Sequence, residues 1–143
     1  MNAKGQSIKT MKLVGVWLDY KEVNIITLKD DDISISSFPS GIDPGKAKGG
    51  HRSKQPFGPM DKVSESKHEE KRKLQEERFF KSICEHVMDC DEVFIMGPAQ
   101  AKIGLRKYMA KYRDLFSKLQ DVITVDSITE NQKVEKVKNF YAL

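Results

Sequence analysis

The residues best suited to chemistry in this sequence gather in one stretch, Gly41 to Lys62, which reads GIDPGKAKGGHRSKQPFGPMDK. Lys46, Lys48, Arg52, Lys54 and Lys62 stand there against Asp43 and Asp61, and His51 gains charge near neutral pH. Gly49 and Gly50 let the backbone approach a ligand closely, and successive N–H groups in such a loop form a concave site for an anion. The chemistry favoured is neutralisation of phosphate, and nucleic acid is the commonest polyanion. His51 also invites the role of general base. No carboxylate stands at a predictable place to orient it, so contact rather than catalysis is assigned to it. The plainer reading is a solvated loop whose lysines serve solubility.

A second basic surface follows later in the chain. Lys102, Arg106, Lys107, Lys111 and Arg113 fall mostly on the outer side of a helix whose inner face carries Ala101, Leu105, Tyr108, Met109 and Tyr112. Gly97 and Pro98 before it read as a tight strand-to-helix turn, although helix N-termini at strand ends also attract anions. Carboxylates are less well placed. Asp19 ends the first strand and Asp126 the last, as metal ligands of a ribonuclease H-type nuclease would, but Asp91 and Glu92 precede the fourth strand and lie at its opposite end. A turn residue at Asp19 and a helix cap at Asp126 explain these two equally well. Cys84 and Cys90 lack partners at metal-ligand spacing and read as small core residues. His68 reads as solvated and His86 as a helix C-terminal residue. No catalytic residue, metal ligand or cofactor is assigned.

The elements that must position these residues follow from periodicity. Residues 1–11 read as a loose tail, and residues 12–143 as a single α/β domain that carries the long basic loop at 41–62. KLVGVWLDY from Lys12, VNIITL (Val23 to Leu28) and ISISSF (Ile33 to Phe38) are strands with short connections, hence an antiparallel meander. Five glycines and three prolines deny the loop a regular backbone. Ser64 is the expected N-cap of a long helix running to about Met88. Leu74, Phe80, Ile83, Cys84, Val87 and Met88 make its inner face, and its first half, SESKHEEKRK, projects into solvent. A strand at Val93 to Met96, the basic helix, a strand at Val122 to Val125 and a helix capped by Thr129 and Gln132 complete the order β-β-β-α-β-α-β-α. Right-handed crossovers then give a five-stranded mixed sheet, order 3-2-1-4-5, with helices on its faces. The outer edge of its third strand is left open to pairing with another copy.

The formal net charge of +4 permits nucleic-acid contact without requiring it. No run of about 18 apolar residues occurs, and Met1 to Met11 lacks the apolar segment of a secretory signal, so a cytoplasmic protein without membrane partners is expected.

The order of elements, the GGHRSK loop leading to KHEEKRKLQEERFFKSICEHV, and the strand and turn VFIMGPAQAK together resemble the middle domain of the eukaryotic and archaeal class-one release factors and of Pelota, a ribonuclease H-like fold of the translational machinery. The chain is more similar still to small stand-alone bacterial proteins of uncharacterised role. That likeness rests on Trp17-Leu18-Asp19, on Gly49 to Lys54 and on Asp126 to Gln132. In the release factors the resemblance implies a Gly-Gly-Gln whose glutamine positions water at the peptidyl ester. Here His51 follows Gly49 and Gly50, and the nearest glutamine is Gln55. Peptide release is therefore not carried over, and no codon-reading or partner-binding domain is expected. Pelota-like domains lack that glutamine too, so the resemblance implies a non-catalytic binder of the ribosome or structured RNA. Phosphates would be held by Lys46, Lys48, Gly49, Gly50, His51, Arg52 and Lys54, extended by Lys102, Arg106, Lys107 and Lys111. The competing expectation is an adaptor that docks proteins on the projecting helix, although that face has almost no apolar anchors.

Overall fold

The computed structural model describes residues 11–44 and 58–142. Strands β1 (Lys12–Leu18), β2 (Glu22–Lys29) and β3 (Asp32–Pro39) form the expected meander. The first turn is held by Asp19, whose Oδ1 accepts the N–H groups of Lys21 and Glu22 at 2.8 and 2.9 Å. In the second, Asp30 takes left-handed backbone, φ 58°, which a short polar side chain tolerates better than most. Helix α1 (Gly58–Val87), β4 (Glu92–Gly97), α2 (Ala101–Met109), a short α3 (Arg113–Phe116), β5 (Leu119–Thr124) and α4 (Glu130–Phe140) follow. The five-stranded sheet has the order β3-β2-β1-β4-β5, and β4 runs parallel to both β1 and β5.

Strands β1, β2 and β4 are covered on both faces, whereas β3 is exposed at every residue but Phe38. On one face, Val14, Val16, Leu18, Val23, Ile25, Val93 and Ile95 pack against Phe79, Phe80, Ile83, Cys84 and Val87 of α1 and against Leu105 and Met109 of α2. On the other, Trp17, Ile26, Leu28, Phe94 and Met96 meet Val137 of α4. Phe94 stacks on Phe140 with centroids 3.9 Å apart, and Tyr141 donates its hydroxyl to the Val14 carbonyl at 2.8 Å. Thr129 and Gln132 form the capping box read from the sequence: Thr129 Oγ1 accepts from the Gln132 N–H, and Gln132 Oε1 from the Thr129 N–H.

Three expectations change. Helix α1 opens at Gly58 rather than after Ser64, so residues 58–62 are helix and not loop. Pro59 falls in the first turn, where a missing N–H costs no hydrogen bond. Leu74 and Met88, placed on the inner face, are 47% and 38% exposed. Leu74 belongs to the part of α1 that has left the sheet, and Met88 follows the helix end, while Phe79 is buried in their stead. The basic helix stops at Met109. Tyr112 then adopts extended backbone (φ −106°, ψ 92°) and starts α3, and β5 begins at Leu119, three residues before the expected Val122.

Gly97, the last residue of β4, lies against the end of β1. A Cβ there would sit 2.3 Å from the Leu18 carbonyl oxygen, which is backbone and has no side-chain freedom to retreat. Gly97→Ala is expected to lower unfolding free energy by about 2 kcal/mol in urea denaturation. A stability unchanged from wild type would show that the two strand ends separate freely.

Candidate nucleic-acid interface

Lys46, Lys48, Gly49, Gly50, His51, Arg52 and Lys54 lie outside the described residues. The structure does define the root from which that segment leaves. Ser40 donates its backbone N–H to the Lys21 carbonyl at 2.7 Å and its hydroxyl to the Tyr20 carbonyl at 2.6 Å. The same hydroxyl oxygen accepts the Ile42 N–H at 3.0 Å, and the Asp43 N–H reaches Gln75 Oε1 on α1, also at 3.0 Å. The chain is thus tied to the first hairpin and to α1 as far as Asp43. Arg72 sits over this root with its guanidinium carbon 5.1 Å from the Tyr20 ring centroid, and its Nε donates to Glu76 Oε2 at 3.0 Å. Burial and the nearby Glu76 carboxylate raise the Tyr20 phenol above its ordinary pKa, against the lowering pull of Arg72. Tyr20, Lys21, Ser40, Ile42, Pro44 and Arg72 line a depression of about 430 Å³ here.

The projecting part of α1 is as polar as its sequence requires. Residues 66–71 are all exposed, with Lys67, His68, Glu69, Glu70 and Lys71 among them. His86, near the other end of the helix, is exposed on the Phe38 ring with centroids 4.9 Å apart, and its Nδ1 is 3.0 Å from the Ser82 carbonyl oxygen.

The second basic row is only partly as expected. Arg106, Lys107 and Lys111 are exposed on α2 and the turn after it. The guanidinium of Arg106 lies 5.8 Å from the Phe116 ring centroid, and the ammonium of Lys111 4.4 Å from that of Tyr108, which holds both cations against aromatic faces. Lys102 is different. It is 8% exposed and donates Nζ to the Ala99 carbonyl at 2.6 Å. It shares the inward stripe with Leu105 and Met109, three and seven residues on, which is why it does not stand in the outer row.

The carboxylates do not converge. Among the described residues no group of three or more His, Cys, Asp or Glu side chains could hold a metal ion. Asp19 serves the turn, as its plainer reading had it. Asp126 is not a helix cap, since Thr129 holds that position; its carbonyl oxygen accepts from Trp17 Nε1 at 3.4 Å. Cys84 and Cys90 are free and buried.

One arrangement at this end of the sheet was not anticipated. Lys133, 6% exposed, points into the sheet, donates Nζ to Asn24 Oδ1, and holds its ammonium 3.6 Å from the Trp17 ring centroid. Asn24 is itself buried and donates to Ser37 Oγ at 2.8 Å. Desolvation lowers the Lys133 pKa, only partly countered by the Glu22, Asp19 and Glu130 carboxylates. The signal was present in the sequence. Lys133 stands four residues before Val137 and shares its buried stripe.

No family model matches the sequence, and no curated protein matches it significantly. In three dimensions the chain is similar to Pelota from Archaeoglobus fulgidus, with a TM-score of 0.56 at 11% identity over 96% of this chain and 34% of that one. Against the Thermoplasma acidophilum Pelota protein the TM-score is 0.53 at 15% identity, over 97% and 38% of the two chains. An archaeal protein gives 0.55 at 14% identity over 93% and 36%. The chain spans little more than a third of the length of these structures. It has the fold of a Pelota-like domain, an α/β unit built on a mixed sheet of order 3-2-1-4-5.

Proposed function

We propose that this chain is a non-catalytic, ribosome-associated or RNA-binding protein of the release-factor and Pelota type. The observation that carries the reading is the Pelota-like fold across 96% of the chain. Lys46, Lys48, Arg52 and Lys54 neutralise phosphates, Gly49 and Gly50 bring the backbone near them, and His51 adds a contact. Arg106, Lys107 and Lys111 extend the surface; Lys102, buried on the Ala99 carbonyl, is left out of it. The root at Ser40 to Asp43 supports this reading, because a segment tied firmly to the body at its departure loses less freedom on binding.

The test is sedimentation of cell lysate through sucrose gradients at low and raised salt. Wild type is expected in ribosomal fractions, and the variant with Lys46, Lys48, Arg52 and Lys54 changed to Ala near the top of the gradient. On purified ribosomes or RNA the log–log salt slope falls by about one unit for each phosphate-contacting cation removed. A wild-type chain that stays at the top of the gradient even at low salt defeats the proposal.

A further inference from the structure

The sheet ends in β5, which pairs with β4 on one side only; among the described residues no strand covers its other edge. Beside that edge runs a groove of about 600 Å³ between β5 and the α2–α3 corner. Its apolar lining comes from Ile103, Phe116, Leu119 and Val122, all half-buried, and Arg106 stands exposed at its rim. One amide of that edge is taken up by a side chain of the strand itself: the Val122 N–H donates to Asp121 Oδ1 at 2.8 Å. An amide that turns to a neighbouring carboxylate in place of a partner strand marks an edge whose ladder position is filled by a substitute.

We propose that this groove docks an extended segment of a partner protein, which adds to the free edge of β5 and sets an acidic side chain against Arg106. Three observations select that occupant. The groove follows the strand through Leu119, Gln120, Asp121, Val122 and Thr124, so its long axis suits extended backbone, and a six-residue strand offers about 20 Å of edge. Strand addition draws affinity from main-chain hydrogen bonds and specificity from alternate side chains, and the lining offers apolar contacts for such alternation. The charged groups of the lining are Arg106, fixed over Phe116, and Lys102, against the one carboxylate of Asp121, so the complementary charge is negative. A second copy of β5 is a poorer occupant, because it would bring Asp121 toward its own image. This inference does not rest on the RNA reading, and it competes with that reading for Arg106 alone.

The experiment uses the full chain and two acetylated octapeptides, one of alternating valine and glutamate, the other of alternating valine and lysine. Binding is followed by fluorescence anisotropy and by amide chemical shifts. The glutamate peptide is expected to shift the Val122 and Thr124 amides and to bind about tenfold more tightly than the lysine peptide. Arg106→Glu abolishes that preference. Asp121→Ala, which removes the substitute acceptor and a like charge, tightens the glutamate peptide about threefold. Equal affinity for the two peptides overturns the proposal, and so do shifts that map away from β5. Decauridine that shifts the same amides at lower concentration than the peptide assigns the groove to RNA instead. Shifts that grow with protein concentration alone assign it to a second copy.

Discussion

Between pH 8 and pH 10.5 the protein is expected to lose about 4 kcal/mol of its unfolding free energy, mainly through two thiols that never meet water while the chain is folded. Cys84 and Cys90 are 0% and 1% exposed. Burial, helped by the Glu85 carboxylate, pushes Cys84 from 9.0 to about 12. Burial likewise raises Cys90 to about 11, with Asp91 and Asp89 adding to the rise and Lys118 and Lys12 opposing it. The unfolded chain releases both protons as pH passes 9, whereas the folded chain keeps them. Fewer protons bound in the unfolded state means stability falling with pH, a loss that begins near 9 and continues toward 11 to 12. At pH 10.5 each unfolded thiol is about 1.5 units above its pKa, which corresponds to about 2 kcal/mol per thiol at 1.36 kcal/mol per unit. Tyr108, raised to about 12, adds to the same trend above pH 10. Urea denaturation of reduced protein at pH 8, 9, 10 and 10.5 reads the slope directly. The Cys84→Ala, Cys90→Ala double variant should start lower and lose much less. Equal losses in both proteins would place the alkaline sensitivity elsewhere.

The second large effect is expected at Asn24. Asn24→Ala removes the one hydrogen-bond acceptor that the buried Lys133 ammonium has among the described residues and leaves the cation on the Trp17 face, at an expected cost of about 3 kcal/mol. Lys133→Met should cost about 1 kcal/mol. It leaves Asn24 Oδ1 unpaired, yet it also abolishes the desolvation of a charge and keeps an unbranched chain on the indole. The two variants are thus predicted to differ although they delete the same contact. Thermal and urea unfolding at pH 7 decide the matter, and a Lys133→Met as damaging as Asn24→Ala would show that the positive charge itself holds α4 in place. The pH response carries the opposite sign to that of the thiols. Because burial lowers the Lys133 pKa, the unfolded chain binds its proton more strongly, and this contribution to stability rises with pH in the range just below 10.5.

How much of this was legible in the sequence depended on what each signal had to report. The five strands announced themselves through short β-branched runs and tight turns, and their order followed from the handedness of crossovers. Thr129 and Gln132 gave a helix start because both halves of a capping box lie three residues apart. Helix α1 starts earlier than Ser64 because proline and glycine punctuate a chain in either of two ways, and in Pro59 the helix-opening sense prevails. The candidate site divides in the same manner. Periodicity sets Lys107 and Lys111 outward, where they lie, but sets Lys102 outward with them, and both Lys102 and Lys133 are cations inside the protein. A positive charge in line with apolar residues normally reads as the edge of a stripe. Only the carbonyl of Ala99 in one case, and Asn24 with the Trp17 ring in the other, make the inside tenable, and neither partner is visible from spacing along one helix.

The parallel pairing of β1 with β4 matters also before the protein is complete. Gly15 meets Phe94, 79 positions later, so the meander must leave the ribosomal exit tunnel and wait while the rest of the sheet is made. At about 5 to 20 residues per second, the interval between the end of β3 at Pro39 and the end of β4 at Gly97 lasts roughly 3 to 12 seconds. During that time β1 has only β2 beside it, and the faces that carry Val14, Val16, Ile25 and Ile26 await the helices that cover them. A nascent chain halted after about residue 90 would therefore recruit holding chaperones, and one released at full length would shed them.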